Sequence, residues 1–195
     1  MYIVISASPN SDGLTAACTR AALTGLREAG AEARHIDLCQ LNLERCRQCG
    51  NGWGCCLQEH ACVIEDDFRV LHGAVVDAEG IILISPVYWG EMAESVKLVF
   101  DRLRRCEATR AEKSALVNKW IIAIAAAGGS GNGVISCLQS MERLIQHMRA
   151  QVQDLIGITQ RSRAYKVETI RTAAKTMAQT GMTKRRPLPK AKPDT

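Results

Sequence analysis

Apolar residues come in short runs along this chain, with polar positions and turn formers separating them at regular intervals. Tyr2 to Ala7 is an apolar run with β-branched residues that stops at Ser8-Pro9-Asn10, which predicts a buried strand followed by a turn. From Thr15 to Ala29 the apolar positions fall at helical spacing, and Gly30 closes the segment. Ala33 to Leu38 predicts a second strand. Asp66 to Ala78 predicts a helix whose two leading aspartates suit its positive end. Gly80 to Ser85 is a continuous apolar strand, and Met92 to Arg105 is amphipathic, with Val96, Val99, Phe100 and Leu103 on one face. Lys119 to Ala127 predicts a strand ending at Gly128-Gly129, and Val134 to His147 a helix. Gln151 to Ile158 predicts the last strand and Arg163 to Gln179 the last helix.

Five apolar strands alternating with five helices call for a parallel sheet covered on both faces, a doubly wound α/β domain. Ligands of such sheets sit beyond the carboxyl ends of the strands, at the topological switch point. There is no internal repeat. Residues 1–181 read as one domain, and 182–195 as a basic, proline-rich tail expected to be disordered.

Composition bounds this picture. The 195 residues are 47% hydrophobic and 23% charged, as in a globular domain. The longest strongly apolar stretch, Trp120 to Ala127, falls well short of the roughly 20 residues that span a bilayer. The opening MYIVISASPN has neither the basic start nor the apolar segment of a secretory signal, so a cytoplasmic, reducing location is expected. The net charge of +5 comes largely from Lys184, Arg185, Arg186, Lys190 and Lys192, leaving a nearly neutral body with no expected nucleic-acid or membrane partner.

In a reducing compartment, nine cysteines point to metal binding or catalysis rather than to disulfides. Five of them, Cys46, Cys49, Cys55, Cys56 and Cys62, fall within CRQCGNGWGCCLQEHAC, which offers little apolar core to join. Soft thiolates gathered on a loop suit an iron–sulfur cluster, a tetrahedral zinc ion or redox-active sulfur; the bland alternative is a loop that binds nothing. His60 is either a substitute ligand or a solvated loop residue. Cys18, Cys39, Cys106 and Cys137 read as core or incidental thiols.

Three segments that follow strands gather at one rim in such a fold. Ser8-Pro9-Asn10-Ser11-Asp12-Gly13-Leu14-Thr15 offers hydroxyls, an amide and backbone N–H groups at a helix start, an anion site, or else an ordinary turn with a Ser or Asp cap. Without a P-loop Lys or a G-x-G-x-x-G it suits a single phosphate better than a triphosphate or dinucleotide. Ser85-Pro86-Val87-Tyr88-Trp89-Gly90 places two adjacent aromatics after a strand in a chain with 4% aromatic residues. They either wall a flat ring or pack under a loop. Ala127-Gly128-Gly129-Ser130-Gly131-Asn132-Gly133 either lets backbone approach a ring closely or is a flexible connection.

Together these segments resemble the flavodoxin-like NADPH-dependent FMN reductase and iron–sulfur flavoprotein family. ISASPNSDGLT is similar to its phosphate loop, with Ala7, Asn10 and Leu14 in place of the usual Gly, Arg and Asn. SPVYWGEMAESVKLVFDRL is similar to its SPVYWG…K…DR segment, and the cysteine loop followed by Asp66-Asp67 to its C-x-x-C-x-x-C…C-x-x-x-D-D segment. The resemblance runs from Tyr2 to about Gly157. It implies a five-stranded flavodoxin-like sheet and noncovalent FMN. Ser8, Asn10, Ser11, Gly13, Leu14 and Thr15 would cradle the phosphate. Pro86, Val87, Tyr88, Trp89 and Gly90 would lie along the isoalloxazine, with Gly129 and Ser130 at its far edge. It also implies a [4Fe–4S] cluster held by Cys46, Cys49, Cys62 and a third ligand that is Cys55 or Cys56, with Cys56 favoured because Asn51-Gly52-Trp53-Gly54 looks inserted.

The function implied is an FMN-dependent oxidoreductase, either an NAD(P)H-dependent reductase or one of iron–sulfur flavoprotein-like electron transfer, with a small-molecule or protein redox partner and a homodimeric or higher homo-oligomeric assembly. No side chain is required as acid or base, because the flavin carries the chemistry. The rivals are a non-enzymatic flavodoxin-like electron carrier, and a metal-binding module on a scaffold that has lost FMN.

Overall fold

A computed structural model of the protein describes residues 1–185. Its strands are β1 (Tyr2–Ser6), β2 (Ala33–Asp37), β3 (Gly80–Tyr88), β4 (Glu91–Met92), β5 (Trp120–Ala127) and β6 (Gln151–Thr159). The helices are α1 (Leu14–Glu28), α2 (Phe68–Asp77), α3 (Glu94–Glu107), α4 (Val134–His147) and α5 (Arg163–Arg185). The five long strands are parallel in the order β2-β1-β3-β5-β6, the flavodoxin-like order, with the switch point between β1 and β3.

Alternation along each strand builds two separate cores. Ile3, Ile5, Ile81, Leu83, Ile121 and Ala123 face α2, α3 and α4. Val4, Ile82, Ile84, Ile122 and Ile124 face α1 and α5. With both faces covered, every position of β1 from Tyr2 to Ser6 is buried, which is why the parallel strands read as unbroken apolar runs. Edge strand β2 is partly exposed and carries charged residues, as edges do.

Two expectations need correction. β3 continues three residues past Ser85 and turns back as β4, pairing Val87 with Met92 and Tyr88 with Glu91 antiparallel, so the sheet has six strands rather than five. Pro86 and Gly90 masked this short hairpin by reading as loop formers. The last helix runs to Arg185 instead of Gln179, so the first residues assigned to the tail are helical. The rest of that tail, and the disorder expected of it, lies outside the described residues.

Candidate functional site

β1, β3 and β5 are neighbours in register, with Ser6 beside Ile84 and Pro86 beside Ala126. The segments that follow them therefore leave the same rim side by side, and these are the three loops singled out from sequence.

The first loop ends in a helix start that lacks a partner. Gly13 is the N-cap of α1; no side chain caps the helix, and its first turn holds no acidic residue. The expected alternative of a Ser or Asp cap is therefore not what the chain adopts. Ser8 Oγ instead accepts the Asn10 N–H at 3.3 Å, tightening the loop. Uncapped N–H groups and the positive end of a 15-residue helix suit a phosphate. Thr15 is buried in the first turn, while Asn10 and Ser11 are exposed. A cavity beside this loop is lined by Ser6, Ser8, Asn10, Thr15, Arg20 and His35. Ser6 Oγ lies 2.9 Å from His35 Nε2, and Arg20 donates to the Ser11 carbonyl at 3.2 Å. Neither Arg20 nor His35 was flagged by the sequence, because neither lies in the loop.

The second loop is a two-residue hairpin. Trp89 (φ 55) and Gly90 (φ 80) both have positive φ, the signature of a type I′ turn. A tryptophan in the left-handed region is an outlier, and here the residue is fully exposed, with Tyr88 half exposed beside it. Packing under the loop does not account for these rings. Pro86 is buried, and Ser85 Oγ accepts the Ala93 N–H at 2.8 Å, tying the hairpin's return to the strand.

The third loop divides its glycines between two tasks. Gly131 and Gly133 have positive φ, and a Cβ on Gly133 would lie 2.5 Å from the Gly90 Cα. That contact seats the hairpin on the start of α4, where Ser136 Oγ also donates to the Gly90 carbonyl at 2.8 Å. Gly128 and Gly129 meet nothing within 4 Å and, with Ser130, are exposed. They leave open backbone at the rim, as an approaching ring requires.

The cysteine loop lies between β2 and α2. Cys46, Cys49, Cys55, Cys56 and Cys62 line one cavity together with Arg47, Arg102 and Arg105. Among the described residues no group of three or more His, Cys, Asp or Glu side chains already stands arranged to hold a metal. The chemistry of the cavity nevertheless suits an anionic sulfur centre: five soft donors, three guanidinium groups, and a buried Arg102 Nε–H without an acceptor. Cys56 and Cys62 pack against the core, whereas the Cys55 thiol points to the Ala61 carbonyl at 3.6 Å. His60 Nδ1 is 3.0 Å from Thr109 Oγ1. The apparent insertion is not loose. Trp53 lies under Arg104 and Arg105, at 5.6 and 5.0 Å from its ring centroid, and Arg105 donates to the Gly52 carbonyl.

Beneath this loop sits a buried ion pair that the sequence reading missed. Arg102 and Asp66 are joined by two hydrogen bonds of 2.6 and 2.8 Å. Burial pushes the Asp66 carboxyl up, but hydrogen bonds from Arg102 and from the Glu44 and Phe68 N–H groups outweigh it and hold it below the usual range. A signal was present. Arg102 lies three residues after Val99 and four before Cys106, within the apolar stripe of α3, where an arginine needs a partner. Cys18 and Cys106 behave as core thiols, both pushed up to about 12 by burial. Cys137 is likewise buried, whereas Cys39 is exposed.

Comparison with known proteins bears on the family and the fold. A family model described as NADPH-dependent FMN reductase matches residues 2–157. An iron–sulfur flavoprotein of Methanocaldococcus jannaschii is 37% identical over 102 residues, covering 52% of this chain and 51% of that protein. An iron–sulfur flavoprotein of Methanosarcina thermophila is 33% identical over 129 residues, covering 66% and 63%. The chain thus spans between about half and under two thirds of the length of these curated relatives. Among solved structures, an NAD(P)H:quinone oxidoreductase from Methanothermobacter marburgensis superimposes with a TM-score of 0.70 at 17% identity, over 90% of this chain and 96% of that one. No helix among the described residues is long and apolar enough to cross a membrane. By its family match, its fold and the motifs at its rim, the chain belongs to the NADPH-dependent FMN reductase family.

Proposed function

We propose that the protein is an FMN-dependent oxidoreductase of the iron–sulfur flavoprotein type, drawing electrons from NAD(P)H or a redox partner. The observation that carries this reading is the uncapped start of α1 beside the exposed Tyr88–Trp89 hairpin and the open Gly128-Gly129 backbone, all on adjacent strand ends.

In this reading Ser8, Asn10, Ser11 and the N–H groups of Gly13, Leu14 and Thr15 hold the phosphate. They act through backbone donors and hydroxyls rather than through an arginine at position 10. Pro86 to Gly90 lie along the ring system, and Gly129 and Ser130 border its far edge. Bound FMN would supply hydride and single-electron transfer. The chain's own part is to orient the ring and hold water away from one side of it, and no side chain is assigned as acid or base. Cys46, Cys49, Cys56 and Cys62 would hold a [4Fe–4S] cluster, with Cys56 preferred to Cys55 because it packs inward.

The test is a visible spectrum of anaerobically purified protein, before and after added FMN, with iron and acid-labile sulfide analysis and NADH and NADPH oxidation assays. Bound flavin with stoichiometric iron and sulfide supports the reading. Flavin without iron removes the cluster from it, and a colourless protein that takes up no FMN overturns it. Flavin that neither nicotinamide reduces favours the electron carrier.

A further inference from the structure

Arg102 is 1% exposed and lies at the junction of the cysteine loop with α3. All four terminal N–H bonds of its guanidinium are engaged. Nη1 donates to Asp66 Oδ2 at 2.6 Å and to the Glu44 carbonyl at 3.0 Å. Nη2 donates to Asp66 Oδ1 at 2.8 Å and to Cys62 Sγ at 3.3 Å. The Phe68 ring covers the group, 4.1 Å from ring centroid to guanidinium carbon. One planar group therefore spans both ends of the cysteine loop, Glu44 before Cys46 and Cys62 at its close.

We propose that Arg102 is a positioning residue that fixes Cys62 as a cluster ligand and, through its N–H···S hydrogen bond, raises the reduction potential of the cluster. The inference rests on the reading of the cysteine loop given above. Its physics is direct. Adding an electron to a thiolate-bound cluster makes the centre more negative, and a donor held at a ligand sulfur stabilises the more negative state. Burial of the guanidinium strengthens that interaction. Asp66 neutralises the arginine overall but holds it in place, so its N–H remains directed at sulfur. The buried Nε–H is a further donor without a protein acceptor beside the same cavity.

Two variants test this in the full chain, anaerobically reconstituted with ferrous iron and sulfide. Arg102→Lys keeps the cation, but an ammonium is a compact point charge that cannot span Asp66, Glu44 and Cys62 as a planar fork does. The double variant Arg102→Gln with Asp66→Asn removes both charges together, so no buried carboxylate is left unpaired. Redox titration followed by electron paramagnetic resonance should place the cluster midpoint of both variants at a more negative potential than in the wild type, at unchanged FMN content. A purely supporting role would reduce the amount of cluster without moving the midpoint of what remains. A midpoint equal to the wild-type value in either variant overturns the inference while leaving the cluster reading intact. A wild-type chain that takes up no iron overturns both.

Discussion

Gly133 and Gly90 are in backbone contact: a Cβ added to Gly133 would lie 2.5 Å from the Gly90 Cα and 3.0 Å from its nitrogen. Gly133 also has a φ of +77°, which side-chain-bearing residues rarely adopt. Gly133→Ala should therefore push the Tyr88–Trp89 hairpin away from α4. The expected outcome is a loss of about 1–3 kcal/mol in stability and at least a tenfold weaker FMN affinity, measured by denaturant titration and flavin fluorescence. Unchanged affinity would separate the hairpin from the flavin.

Gly13 caps α1 with an ordinary φ of −71° and no side-chain bond. Gly13→Asp adds an N-cap acceptor and a negative charge at the helix's positive end. The apo protein should gain about 0.3–1 kcal/mol. FMN binding should weaken by tenfold or more, because the carboxylate occupies the position proposed for the phosphate. Opposite signs for the two readouts are the signature; tighter binding would remove the phosphate from this helix.

Trp89 sits in the left-handed region with no buried surface to lose. Trp89→Asn gives the turn the Asn-Gly pair that type I′ hairpins favour, and should stabilise the apo protein by about 1 kcal/mol. Turnover with NAD(P)H should fall, since an indole retained at that conformational cost is expected to touch the cofactor or its partner. Stability unchanged or lowered would show that the turn carries no strain.

Glu107 is buried; desolvation pushes it up, but His72, Ser114 and Arg110 more than offset this and hold it at about 2, against an ordinary 4.5. Its folded value is depressed, so its contribution is present above pH 4.5 and is lost as pH falls toward 2. The contribution is on the order of 3 kcal/mol. Chemical denaturation of the wild type should show stability falling across that window, with a shallower slope in Glu107→Gln. Equal slopes would mean that other carboxylates govern acid unfolding.

The cysteine loop gives a ligand test of its own. Cys46→Ser, Cys49→Ser, Cys56→Ser and Cys62→Ser should each abolish stoichiometric iron while leaving FMN bound, and Cys55→Ser should retain both. Iron and sulfide per chain decide it. Loss in Cys55→Ser with retention in Cys56→Ser would exchange the two assignments.

Strands such as Ile3 to Ile5 and Ile81 to Ile84 were legible because burial on both faces leaves no polar position to interrupt them. The rim loops were legible because their residue types are unusual in place, as with two adjacent aromatics after a strand. What could not be read depends on distant partners. That Gly133 meets Gly90, or that Arg102 joins Asp66 to Cys62, arises from residues 36 to 43 positions apart in the chain. Periodicity also gave no warning of the β3–β4 hairpin, since two residues are too few to show an alternation.

Helix α3 begins at Glu94, directly after the hairpin, and runs alongside the sulfur loop: Glu94, Lys97 and Asp101 share a cavity with Cys46, and Arg102 meets Cys62. The hairpin and the sulfur loop thus share one helix as their common support. A substitution that shifts this helix would therefore disturb both at once.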